Sequence, residues 1–242
     1  MDLLFLLTVA VVAFLYSSVG HGGASGYLAL MVLFGISPAI MKQSALLLNL
    51  FVSSIAFWQY YRQGFFKWKL LFPFILLSIP LSFIGAGIKV NDHIYKLILA
   101  ACLMIAVLRL VGTFGKGDAD RREELKFIPA MMIGGAIGLL SGMIGIGGGI
   151  LLSPVLLLLH WANMKETAAV SAIFIFLNSI AGISGLFIGG AAFSPYIYVW
   201  LIAAVGGGIM GSFYGSSRFN YTVLKYILST VLHFACFKLV IT

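Results

Sequence analysis

Two glycine clusters carry the chemistry available to this sequence. Gly20-His21-Gly22-Gly23-Ala24-Ser25-Gly26 and Gly145-Ile146-Gly147-Gly148-Gly149 each stand between two apolar stretches. Successive glycines let a backbone curl so that several N–H groups converge. At a helix start those groups have no intrahelical partner and carry partial positive charge. Such a loop holds a small anion without any charged side chain. In hydrocarbon the same loop is a cost, because it breaks a helix and leaves backbone groups unpaired. Two copies about half a chain apart therefore predict a polar site where the breaks meet. Close helix packing through small residues is the competing explanation.

Side chains near the clusters extend the idea. The imidazole of His21 can hydrogen-bond an oxyanion, carry a coupling proton, or simply cap its loop. Ile146 stands in the equivalent place of the second cluster, so a His role is one-sided. Thr167, Ser171 and Asn178 are spaced by four and seven and share one helical face. Asn49 and Ser53 share another with Tyr60. These hydroxyls and amides complete an anion's hydrogen-bond shell or hold helices together. The candidate substrate contacts are thus Gly20, His21, Gly22, Gly23, Ser25, Asn49, Gly145, Gly147, Gly148, Gly149, Ser171 and Asn178. His160 and His233 read as interfacial or structural.

Other chemistries find no residues. No nucleophile–base pair or metal triad is visible, so the expectation is a non-enzyme with no catalytic residues, metal or cofactor. The Gly-x-Gly-x-x-Gly pattern lacks the surrounding strand–loop–helix unit, and no Lys-Ser or Lys-Thr follows the second cluster. Cys102 and Cys236 read as small buried apolar side chains. All seven acidic residues, Asp2, Asp92, Asp118, Asp120, Glu123, Glu124 and Glu166, fall at termini, loops or segment edges. Cation transporters need buried carboxylates to compensate their cargo. An interior of loose N–H groups without acid favours an anion, and leaves room for a coupling ion, H+ or carbonyl-bound Na+.

The elements that position these residues are membrane segments. Hydrophobic residues make up 62% of the chain and charged residues 9%; the mean hydropathy is +1.10. A water-soluble surface needs roughly a quarter charged residues. The chain reads as an all-α, multi-pass protein of the cell inner membrane. Its net charge of +8 is spread between apolar stretches, as the positive-inside rule gives, and argues against nucleic-acid binding.

Apolar stretches fall at about 3–19, 24–36, 43–61, 70–88, 94–112, 127–143, 149–160, 167–188, 196–214 and 221–241. No Lys or Arg precedes the first, which reads as a retained membrane segment rather than a signal peptide. The charged stretch 113–126 divides an N-terminal repeat, 1–112, from a C-terminal repeat, 127–242. The halves align in order. Gly20-x-Gly22-Gly23 matches Gly145-x-Gly147-Gly148, and Met41-Lys42-Gln43-Ser44-Ala45 matches Met164-Lys165-Glu166-Thr167-Ala168. Ser54-Ile55-Ala56 matches Ser179-Ile180-Ala181. Five segments per half make the repeats inverted. The charges agree: Arg62, Lys67 and Lys69 mark one loop, whereas its partner, Gly189 to Pro195, has none. That places the central loop inside and both termini outside. Segments two and seven are too short to span and predict broken or re-entrant hairpins, with half-helices opening after Gly23 and Gly149. Arg109, Arg218 and Lys238 read as snorkelling side chains. Tyr60, Tyr61, Phe65, Phe66, Trp68 and Trp200 read as interfacial anchors.

The run from Gly138 to Gly149, Gly-Leu-Leu-Ser-Gly-Met-Ile-Gly-Ile-Gly-Gly-Gly, followed by Pro154, resembles the signature of the TauE/SafE family of sulfite exporters. Gly20-His21-Gly22-Gly23 fits that family's duplicated pattern, and the likeness covers essentially the whole chain. It implies a bacterial-type inner-membrane transporter of small sulfur-containing or organic anions, such as sulfite, sulfonates or thiosulfate. Ala24 and Ser25 depart from Gly149 and Ile150, so the shared glycines leave the anion open. The expected mechanism is alternating access around a midplane site. An anion channel and a non-transporting structural subunit are the alternatives; direction and oligomeric state stay open.

Overall fold

Both glycine clusters end one helix and begin another. The computed structural model describes residues 3–88, 123–190 and 196–215, with isolated positions between 91 and 104. Helix α1 (Leu3–Ser18) runs into the first cluster, and α2 (Ala24–Leu33) leaves it. Helix α5 (Phe127–Ile144) runs into the second, and α6 (Gly149–Leu158) leaves it. Between and after them stand α3 (Pro38–Arg62), α4 (Trp68–Gly87), α7 (Met164–Ile188) and α8 (Ile197–Gly215). Among the described residues all regular structure is helical. The expected segments 94–112 (apart from single helical positions) and 221–241 lie outside the description. So do most of the charged loop, Cys102, Cys236, Arg109, Arg218, His233 and Lys238.

Among the described residues five helices are long and apolar enough to cross a membrane: Ile40–Arg62, Trp68–Gly87, Phe127–Ile144, Lys165–Ile188 and Ile197–Tyr214. By contrast α2 and α6 have 10 residues each. At ~1.5 Å per residue they reach about 15 Å, half of the ~30 Å hydrocarbon core. Each starts from a glycine in the left-handed region, Gly23 with φ 98° and Gly148 with φ 76°. A β-carbon would resist that backbone turn, so glycine is the residue that can stop one helix and re-aim the next. Helix α6 opens at Gly149 itself, one residue before the expected start, which makes Gly23 and Gly148 equivalent caps.

Helices α3 and α7 begin earlier than hydrophobicity suggests. Pro38 occupies the first turn of α3, a position where its missing N–H costs nothing. Asn163 and Glu166 form a reciprocal capping box at the start of α7: Glu166 N–H donates to Asn163 Oδ1 at 2.9 Å, and Asn163 N–H donates to Glu166 Oε2 at 3.0 Å. The charged residues read as flanking the segments therefore sit inside the helices, Lys165 and Glu166 in a first turn and Lys42 just past one.

Helix directions follow from glycine contacts. On α5, Gly134, Gly138 and Gly142 lie against the backbone of Phe74, Ser78 and Ser82 of α4. Both series ascend by four, so α4 and α5 run parallel. On α8, Gly207 and Gly211 lie against Ala10 and Phe14 of α1, and that pair is parallel too. Tyr60 and Ala168 meet at Gly20, Asn49 and Ile175 at Gly147, and Leu46 packs on Gly182. These positions rise on α3 as they fall on α7, so the two central helices are antiparallel. Exchanging α1 with α5, α2 with α6, α3 with α7 and α4 with α8 maps each principal helix pairing onto another.

The small-residue faces make a direct prediction. A β-carbon at Gly138 would overlap the Ser78 backbone, which cannot rotate away. Gly138→Leu should lower stability by about 3 kcal/mol, the upper end for overpacking. Gly206 faces open space, so Gly206→Leu should leave the melting temperature in detergent unchanged. Equal melting of the two variants would contradict the packing.

Candidate functional site

The two glycine loops meet across α3. The Asn49 side chain accepts from the Ala24 N–H at 2.9 Å, the first donor of α2, and donates to the Ile146 carbonyl at 3.1 Å in the second loop. Asn49 is fully buried and both ends of its amide are used. Ile175 of α7 packs from the other side, within reach of β-carbons built on Gly22, Gly147 and Gly149. Each loop also rests on the opposite half. Gly20 lies against Ala168 at the start of α7, and Gly145 against Lys42 at the start of α3. The Lys42 ammonium donates to the Ala86 carbonyl at 2.8 Å, in the last turn of α4, where a cation suits the helix dipole.

What this arrangement offers is donors. The N–H groups of Gly22, Gly23, Gly147 and Gly148 are buried and find no protein acceptor among the described residues. Gly23 and Gly148, as cap residues, supply no side-chain acceptor, and Asn49 supplies one only to the Ala24 N–H of α2. Orphaned buried N–H groups are rare in folded proteins. Three buried hydroxyls beside them also lack a partner: Tyr27 at Gly23, Ser179 at Gly147 and Ser141 at Gly148. The environment is rich in donors and holds no carboxylate among these groups.

His21 joins the loops in a second way. Its Nδ1 lies 3.0 Å from the Val19 carbonyl and its Nε2 3.0 Å from Ser153 Oγ of α6. Ser153 Oγ is in turn 2.7 Å from Ser171 Oγ of α7 and 2.9 Å from the Gly149 carbonyl. Ser25 stands at the opening of α2 and hydrogen-bonds Tyr16 at 2.7 Å.

Asn178 lies in a different neighbourhood. Its amide donates to Ser78 Oγ at 3.1 Å and to the Phe174 carbonyl at 2.9 Å, so it is turned toward α4, and its Oδ1 is buried without a partner. Its neighbour Ser179 faces Gly147 instead. Sequence reasoning passed over Ser141, Ser153, Tyr27 and Ser179. It also placed Tyr60 and Trp200 at an interface, whereas both are buried: the Tyr60 hydroxyl donates to the Ser18 carbonyl at 3.3 Å, and Trp200 packs edge-on to Phe5. Tyr61 and Trp68 are exposed. Glu166, at the edge of its segment as expected, is 5% exposed and paired with Lys67 at 2.6 Å. Among the described residues no three His, Cys, Asp or Glu side chains group as metal ligands.

Residues 5–239 match the family model described as sulfite exporter TauE/SafE. The chain is 34% identical over 232 residues to "Probable membrane transporter protein y4hK" of Sinorhizobium fredii, covering 95% of this chain and 94% of that one. It is 27% identical to "Probable membrane transporter protein MJ0441" of Methanocaldococcus jannaschii, over 74% of this chain and 70% of that one. A third relative, "Probable membrane transporter protein YjnA" of Bacillus subtilis, is 23% identical over 91% of this chain and 92% of the relative. No solved structure matches the chain.

Proposed function

The chain belongs to the TauE/SafE family of multi-pass membrane transporters, and from that premise we propose that it moves a small sulfur-containing or organic anion, of the sulfite, sulfonate or thiosulfate type, by alternating access. The observation that carries this reading is the set of buried N–H groups at Gly22, Gly23, Gly147 and Gly148 that find no acceptor among the described residues. They come from two loops that Asn49 ties together, and each loop opens a half-length helix with its positive end toward the other.

The mechanism rests on two inverted repeats that rock around the loops. Parallel pairing of α4 with α5 and of α1 with α8 supports the inversion. Parallel neighbours in sequence need an odd crossing between them, which the apolar stretch 94–112 is long enough to supply. In this scheme the glycine N–H groups bind the anion, while His21 and Asn49 set which anion fits.

The test is counterflow of labelled thiosulfate in proteoliposomes. Saturable counterflow stimulated by unlabelled thiosulfate inside is expected. Single-channel currents without counterflow would make the protein an anion channel, and no flux together with no binding would leave it a structural subunit.

A further inference from the structure

We propose that His21 takes up one proton with each anion that binds at the glycine loops, so that anion and proton cross the membrane together. The proposal rests on the anion reading above and names its coupling ion.

The hydrogen bonds around His21 supply the proton accounting. Nδ1 faces the Val19 carbonyl at 3.0 Å, which can only accept, so Nδ1 carries a hydrogen. Nε2 faces Ser153 Oγ at 3.0 Å. The Ser153 hydroxyl has one hydrogen and further oxygens in reach, the Gly149 carbonyl at 2.9 Å and Ser171 Oγ at 2.7 Å. With His21 neutral, Ser153 donates to Nε2 and accepts from Ser171. With His21 protonated, Nε2–H donates to Ser153, whose hydrogen turns to the Gly149 carbonyl. Both states leave each ring nitrogen bonded, so protonation needs only a hydroxyl rotation.

Position decides when the proton arrives. His21 is buried, two residues before the cap of α2, and its partner Ser153 lies on the first turns of α6. Both helices point their positive ends at this region, where an imidazolium would meet charge of its own sign. An anion held by the same N–H groups reverses the sign of the local field and favours it. Linkage then makes the effect mutual, and the proton raises anion affinity as much as the anion raises proton affinity. The titratable and charged groups on the surrounding elements are Tyr16 of α1, Tyr27 of α2, Lys42, Tyr60, Tyr61 and Arg62 of α3, and Lys165 and Glu166 of α7; Tyr61, Arg62 and Lys165 are exposed, and Glu166 is engaged with Lys67. Imidazole is the side-chain type among them whose charge ordinarily changes near neutral pH.

Isothermal titration of the purified full-length protein with thiosulfate, in buffers of different ionisation enthalpy, counts the protons. Thiosulfate is fully ionised near neutral pH and contributes none itself. The wild type should take up about one proton per anion, with affinity rising by up to ~10-fold per pH unit as pH falls. His21→Gln should bind more weakly, take up no proton and show a flat pH profile. Wild-type binding without proton uptake, or uptake that persists in His21→Gln, would overturn the proposal while leaving the anion site standing. No binding of thiosulfate or methanesulfonate by the wild type would instead sink the anion reading, and this inference with it.

Discussion

Asn49→Leu is expected to abolish thiosulfate counterflow and to lower stability more than any other single side-chain change near the loops. The reason is the double use of its amide. Removing it leaves the Ala24 N–H and the Ile146 carbonyl buried with no partner, after bonds of 2.9 and 3.1 Å. At about 1–3 kcal/mol for each unpaired group, the loss comes to about 2–6 kcal/mol, a large share of a membrane domain's margin. Leucine fills the volume but cannot hold the two loops in register, so donors from the two halves no longer converge. Asn49→Asp separates the two effects. It keeps the acceptor for Ala24 and loses the donor to Ile146, and it sets a carboxylate beside N–H groups proposed to hold an anion. That variant should fold better than Asn49→Leu and still fail to bind thiosulfate at neutral pH. Counterflow and a melting curve in detergent check both. Wild-type flux in Asn49→Leu would remove the cross-brace from the mechanism.

Much of the architecture is legible because lipid makes composition decisive. Eight expected apolar stretches fall on the eight described helices, and both glycine breaks fall between helices. Where the reading slipped, local chemistry had overridden hydrophobicity. The starts of α3 and α7 carry Lys42, Lys165 and Glu166, which look like loop residues until Pro38 and the Asn163–Glu166 box are recognised as helix openings. Packing by small residues is also present, in the loops at Gly20, Gly145 and Gly149 and along the helices on other glycines. Gly134, Gly138, Gly142, Gly207 and Gly211 bring helix backbones together, while the loops hold Gly22, Gly23, Gly147 and Gly148. Tertiary partners were the illegible part. A face deduced from spacing groups Ser171 with Asn178, yet seven residues also lift Asn178 by ~10 Å along the helix, where it meets Ser78 of α4 instead of Ser153, and the next residue, turned by ~100°, brings Ser179 to Gly147. Ser153 carries no signal in the repeat alignment, because its counterpart at that register is Leu28. It matters through His21, from the other half of the chain.

Gly147 gives the sharpest separation between a loop that works and a loop that merely packs. Its φ is +69°, and an added β-carbon would sit 2.6 Å from Asn49 Nδ2 and 2.8 Å from Ile175 Cγ2. The left-handed backbone alone costs a side chain about 1–2 kcal/mol. Relief requires the loop to turn, which takes the N–H groups of Gly147 and Gly148 off their aim. Each charge-assisted hydrogen bond lost is about 1.5–3 kcal/mol, or about 10- to 100-fold in affinity. Gly147→Ala should therefore weaken thiosulfate binding by at least about 10-fold, and Gly147→Leu should reduce flux to background. Stability should fall less in Gly147→Ala than in Gly138→Leu, since the Asn49 and Ile175 side chains can shift whereas the Ser78 backbone cannot. A structural role for the loop predicts the reverse order, with melting temperature and flux falling together. Unchanged flux in Gly147→Leu would take the second glycine loop out of the transport site.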